Sequence, residues 1–140
     1  MNTNTPVILF VDDEKYWLKR TAKTLERFDY KILTAISASE GKAILRDGGV
    51  HVLLLDLDLP GENGLDILRW TKEHYPHIEV IMYSGEGTIG TALQSIKMGA
   101  YDFIEKNSDV EELLVTIRNA VEKSYLEFQI LEAEHGLIGR

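Results

Sequence analysis

The chain has 140 residues, with 15 Lys plus Arg against 23 Asp plus Glu and a formal net charge of −8. That length fits one domain with one sizeable core, and that charge weighs against direct binding to nucleic acid or to an anionic membrane. There is no cysteine, which excludes disulfides and thiolate metal sites, and no apolar run approaches the ~20 residues that span a bilayer.

The first six residues are polar and lack the apolar core of a signal peptide, so a cytoplasmic protein is expected. Val7-Ile8-Leu9-Phe10-Val11 reads as a buried strand that ends at Asp12-Asp13-Glu14. Leu18, Ala22, Leu25 and Phe28 then share one face of a helix over residues 14–28. Residues 30–36 are strand-like. Ser37 or Ser39 can cap a helix carrying Ala43, Ile44 and Leu45, which Gly48-Gly49 closes.

Val52-Leu53-Leu54-Leu55 has the composition of a strand buried on both faces. It stops at Asp56, and Asp58, Pro60, Gly61, Asn63 and Gly64 form a dense turn signal. Leu65, Leu68 and Trp70 mark a third helix that ends before Pro76. A fourth strand over 78–83 meets Ser84-Gly85-Glu86-Gly87. Ile89, Ala92, Leu93 and Ile96 give a fourth helix, stopped by Gly99, and a fifth strand over 101–105 ends at Lys106.

Asn107, Ser108 and Asp109 offer caps for a last helix. No Gly or Pro interrupts 109–135, about 40 Å of helix at ~1.5 Å per residue, and Gly136 is a natural stop. Leu114, Ile117, Val121, Ser124, Phe128 and Leu131 recur at three and four, a coiled-coil seam that Ser124 breaks. The half beyond Lys123 projects past a domain of this size, so Phe128 and Leu131 need a partner. A parallel helix from a second copy is the preferred one, although the stripe could instead fold back on its own domain. His51, His74, His77 and His135 are scattered and read as surface residues.

Five alternating strand–helix units predict an α/β fold, a doubly wound five-stranded parallel sheet with an extended C-terminal helix. In such a sheet the ligand site lies at the carboxyl ends of the strands. Asp12, Asp13, Asp56, Ser84 and Lys106 all fall there. Clustered carboxylates repel unless a cation neutralises them, and Mg²⁺ suits a site of few carboxylates completed by water and phosphate oxygens. A carboxylate can also attack a phosphoryl group, with a metal, an ammonium and a hydroxyl stabilising the transferring oxygens. Taken singly, the acids also suit helix starts and turns, and Phe103 suits a core.

Asp12-Asp13, the Asp56…Pro60…Gly64 pattern, Ser84-Gly85 and Gly99-Ala100-Tyr101-Asp102-Phe103-Ile104-Glu105-Lys106 together resemble the receiver domain of two-component response regulators. The resemblance covers about residues 6–121 and implies the flavodoxin-like (βα)5 fold. It implies that Asp56 takes a phosphoryl group from a sensor histidine kinase. Asp12 and Asp13 would bind Mg²⁺ with Asp56 and the backbone carbonyl of Asp58. Ser84 and Phe103 would be the switch pair, and Lys106 would ion-pair with the phosphoryl group. Such a protein catalyses nothing beyond its own phosphorylation and dephosphorylation.

The family usually has a cis proline after the lysine. Asn107 stands there, and a cis bond before a non-proline residue costs ~3–4 kcal/mol, so a trans bond, or failing that a strained cis one, is expected. Gly136-Leu137-Ile138-Gly139 resembles the opening of the AAA+ domain of enhancer-binding transcription activators. The expected organisation is a receiver over 1–121 and a helical linker over 122–140, leading to an output domain and pairing as a homodimer.

Two rival readings remain at this point. Leu55-Asp56-Leu57-Asp58 resembles the nucleophile motif of haloacid dehalogenase phosphohydrolases, with Asp58 as general acid. The chain order, acid pair first, opposes it. The other is a receiver-like module that binds partners without being phosphorylated, which the intact acids, Ser84 and Lys106 oppose.

Overall fold

The computed structural model describes residues 5–138, with side chains described over 5–134. Five parallel strands form one sheet in the order β2-β1-β3-β6-β7. They are β1 (Val7–Val11), β2 (Lys31–Ala35), β3 (Val52–Leu55), β6 (Glu79–Ser84) and β7 (Asp102–Glu105). A two-residue hairpin, β4 (Asp58–Leu59) with β5 (Glu62–Asn63), follows the third of them. The helices are α1 (Lys15–Glu26), α2 (Ala38–Asp47), α3 (Gly64–His74), α4 (Ile89–Lys97) and α5 (Val110–Ile138). The expected doubly wound fold is therefore present.

Strand side chains alternate between two faces, and each face has its own core. Leu9, Val11, Leu53, Leu55, Val80 and Met82 pack against α2 and α3 through Leu45, Ile67 and Leu68. Ile8, Phe10, Leu54, Ile81 and Tyr83 pack against α1 and α5 through Leu18, Leu25, Leu113 and Ile117. Each fully buried aliphatic side chain contributes about 1.5–3 kcal/mol. The central strands β1, β3 and β6 have no face left for water, so their acids appear only at the ends.

Helix starts follow their caps. Ser37 accepts from Glu40 N, Asn63 from Leu65 N, and Thr88 forms a capping box with Thr91. Phe28 lies beyond α1 and is half exposed, so that helix is shorter than its periodicity suggests. The α4 helix forms as expected, but Ile89, Leu93 and Ile96 face outward, and the buried position is Ser95, whose Oγ donates to Ala92 O at 2.8 Å.

The last helix runs through residues 121 and 136 without a break, so Gly136 does not end it. Gly139, the last residue of the AAA+-like segment, lies outside the described residues. Ser124 is no defect in the seam: it is buried and donates to His77 O at 2.9 Å. Phe128 meets the His77 ring edge-on at 5.5 Å, so part of the stripe does turn back on its own domain. His51 is not a surface residue either, since its Nδ1 accepts from Val7 N at 3.0 Å. Among the described residues there is no cis peptide bond and no helix long and apolar enough to cross a membrane.

Candidate functional site

The carboxyl ends of β1, β3, β6 and β7 converge on one rim. Asp12 and Asp13 follow β1, Asp56 follows β3, Ser84 ends β6, and Lys106 follows β7. Asp12 and Asp56 are buried, whereas Asp13 is exposed. One carboxylate oxygen from each of the three lies within 4.8 Å of the others. That donor set is all oxygen and doubly to triply negative, which fits a hard divalent cation and a Mg²⁺ ion in particular.

Lys106 closes the site. Its Nζ lies 2.5 Å from Asp12 Oδ2, 3.0 Å from Glu14 Oε1 and 3.6 Å from Asp56 Oδ2. The ammonium also sits 5.5 Å above the Trp17 ring centroid. Burial works against the Lys106 charge, but the bonds to Asp12 and Glu14 and the field of Asp56 outweigh it and hold its pKa above the ordinary lysine value. Asp56 goes the other way for a carboxyl. Burial first, then repulsion from Asp12, push it up to about 6, against the pull of Lys106.

Local geometry exposes Asp56 to a reactant. Asp58 N donates to Asp56 Oδ1 at 3.4 Å, leaving Oδ2 toward Lys106. Gly64 must be glycine, because a Cβ there would stand 2.5 Å from Asp56 O and 2.8 Å from Leu57 Cα. A cleft of about 290 Å³ opens over the site, lined by Asp13, Glu14, Asp56, Asp58, Gly85, Glu86 and Lys106. A side chain at Gly85 would have only Lys106 Cδ near it, at 3.9 Å, so that wall is open.

Ser84 is buried beside the cleft, and its Oγ accepts from Glu86 N at 3.2 Å. Phe103 is half buried, and its ring rests on Gly87, where a Cβ would run into it. Every expected site residue is thus at this rim or, for Phe103, on the strand beside it. The sequence reading gave no role to Glu14 or Trp17. A signal existed for Glu14: it follows the acid pair at a helix start, where glutamate caps poorly.

The family model for the response regulator receiver domain matches residues 8–118. The chain belongs to the receiver domain family. It is 37% identical over 106 residues to the photosynthetic apparatus regulatory protein RegA of Cereibacter sphaeroides, covering 76% of this chain and 58% of RegA. It is 36% identical to the nitrogen assimilation regulatory protein NtrX of Azorhizobium caulinodans, over 95% of this chain and 31% of that protein. The beryllofluoride-activated NtrC4 receiver domain dimer, a solution structure, is similar at TM-score 0.80 and 34% identity, over 84% of this chain and 98% of that one. This receiver therefore spans little more than half of RegA and less than a third of NtrX.

The family that matches over residues 8–118 is the receiver domain, the reading preferred from the sequence over the phosphohydrolase one. The side chain of Asp58 is exposed, and two of the three clustered acids, Asp12 and Asp13, follow the first strand of the receiver.

Proposed function

We propose that this receiver accepts one phosphoryl group on Asp56 from a sensor histidine kinase and relays that event to an output domain. The observation that carries the reading is the buried Asp56 carboxylate, clustered with Asp12 and Asp13 and with the Lys106 ammonium 3.6 Å away. Asp12, Asp13 and Asp56 would hold Mg²⁺, joined by the backbone carbonyl of Asp58. When bound, the ion neutralises charge on the carboxylates and on the transferring oxygens.

The residues of the chain supply the rest. Asp56 Oδ2 forms the new P–O bond as the phosphorus–nitrogen bond of the donor breaks, and the leaving imidazole takes up a proton. Lys106 balances the charge that arrives with the phosphoryl group. The Ser84 hydroxyl, now bonded to Glu86 N, exchanges that bond for one to the phosphoryl group, and Phe103 leaves its place against Gly87 and turns inward. No other substrate is turned over, so the receiver is a relay and not an enzyme in the ordinary sense.

A longer regulator of transcription fits the NtrX and RegA likeness, with an AAA+ output domain as in the enhancer-binding activators. A cytoplasmic location goes with this role. Pairing of two copies through α5 and the neighbouring face accounts for the exposed apolar side chains there. The NtrC4 receiver dimer supports pairing of this kind. Leu126 and Ile130, each about 60% exposed, are better candidates for the seam than Phe128, which already contacts His77.

The test is direct. Acetyl phosphate with Mg²⁺ should add the mass of one phosphoryl group to the intact protein, and Asp56→Asn should abolish the addition. An unchanged wild-type mass would refute the reading.

A further inference from the structure

We propose that Glu14 is the resting counter-ion of Lys106, a positioning residue that competes with the incoming phosphoryl group and sets how tightly the acceptor site takes it up. This inference rests on the phosphoacceptor reading of Asp56.

Glu14 stands at the N-cap of α1 in extended backbone (φ −85, ψ 98), yet its side chain makes no capping bond. The caps of α2, α3 and α4 all make one. Aspartate, serine or threonine would reach the free amides of the first turn. The Glu14 carboxylate instead crosses to Lys106, 92 residues away in sequence, at 3.0 Å. The side chain has given up a local hydrogen bond for an ion pair at the mouth of the cleft.

The ammonium is correspondingly off-centre. Its two shorter contacts, to Asp12 and Glu14, and its aromatic contact, to Trp17, all belong to the stretch from the end of β1 through the first turn of α1. Asp56 is the farthest of its three carboxylates. To meet a phosphoryl group on Asp56, Lys106 has to lean away from that segment. Asp12 is fully buried and cannot follow or leave. The Glu14 side chain is 64% exposed and can swing into water, so it is the contact that yields. Until it does, it acts twice: it holds the cation away, and it repels the dianion that approaches the same cleft.

The probe is beryllofluoride, added at fixed Mg²⁺ and followed through the amide resonances of Gly85 and Glu86. Glu14→Gln is expected to bind it about three- to fivefold more tightly than wild type, the scale of one exposed ion pair, and the gap should close at high salt. Glu14→Asp, too short to reach Lys106 but able to cap α1, should share the tighter binding while being more stable to heat than Glu14→Gln. A merely structural role for Glu14 could weaken binding but could not tighten it. Equal or weaker binding by both variants overturns the inference alone. No binding by wild type or by either variant overturns the phosphoacceptor reading and the inference with it.

Discussion

Gly64 touches Asp56 so closely that a Cβ on it would stand 2.5 Å from the Asp56 carbonyl oxygen. The first residue of α3 is thereby packed on the backbone that aims the acceptor carboxylate. Because the obstacle is backbone, not a flexible side chain, it cannot step aside. Gly64→Ala is expected to destabilise the fold by about 1–3 kcal/mol, the usual cost of overpacking. It should also slow phosphorylation of Asp56 by acetyl phosphate more than the lost stability explains. Chemical denaturation and intact-mass kinetics on the same sample check both parts.

Asp56 carries a stability cost as well as the chemical role proposed for it. Its folded pKa of about 6 lies above the ordinary carboxylate value of 3.8, so ionising it costs more in the folded chain than in the unfolded one. The sign follows: the penalty is absent at low pH, grows as pH rises between those two values, and is complete above pH 6. Asp56→Asn should therefore be more stable than wild type at pH 7 without metal, by up to about 3 kcal/mol at ~1.36 kcal/mol per unit. Below pH 4 the two should converge. Mg²⁺ should raise the Tm of wild type more than that of Asp56→Asn. Melting curves at pH 4 and pH 7, with and without Mg²⁺, decide it.

What the sequence made legible, and what it did not, divides along one physical line. Runs such as Val52 to Leu55 have to be buried on both faces, so the strand ends and the acids on them could be placed from local pattern alone. The cap of α2 was readable to within two serines, Ser37 or Ser39, because capping is local, and Ser37 takes the place. Pairings made by chain topology were not readable. The Glu14–Lys106 contact spans 92 residues, and the use of His51 as an acceptor for Val7 N spans 44. Ser124 looked like a break in a seam because its acceptor, His77 O, lies on a different element. The outward apolar face of α4 misled in the opposite sense, since 3.6-residue periodicity says that a helix has two faces but not which one the sheet receives.

Gly87 lies against the Phe103 ring closely enough that no side chain fits between them. Gly87→Ala should therefore drive the ring off this loop, with a loss of about 1–3 kcal/mol in stability. Aromatic resonances of Phe103 should shift even without phosphorylation, and the further shift caused by beryllofluoride should shrink. Unchanged Phe103 resonances would mean that the loop, not the ring, gives way.

At the opposite end of the sheet, Glu79 begins β6 fully buried and ties the last helix to the domain. Lys123 Nζ lies 3.2 Å from Glu79 Oε1 and 3.4 Å from Glu127 Oε1, so one ammonium serves two carboxylates. Lys72, the other nearby cation, is spent on Pro76 O and Ile78 O, both at 2.9 Å. While both acids are ionised, Glu79 Oε2 has no hydrogen-bond partner among the described residues. Burial first, then a hydrogen bond to Glu127, push the Glu79 pKa up to about 7 from its ordinary value of 4.5. His51 and His77 close by are shifted down from the ordinary histidine value, chiefly by burial. A raised carboxyl pKa means that stability declines as pH rises from about 4.5 to about 7. Glu79→Gln keeps the shape and removes the charge, so it should flatten that slope and be more stable than its parent at pH 8, by about 1–3 kcal/mol. The comparison belongs in an Asp56→Asn background, where the acceptor no longer titrates in the same window. Denaturation at pH 5 and pH 8 measures the slope. Hydrogen exchange over 122–134, corrected for the intrinsic pH effect, shows whether the loss falls on the α5 junction. An equally steep slope in Glu79→Gln would mean that some other group titrates there.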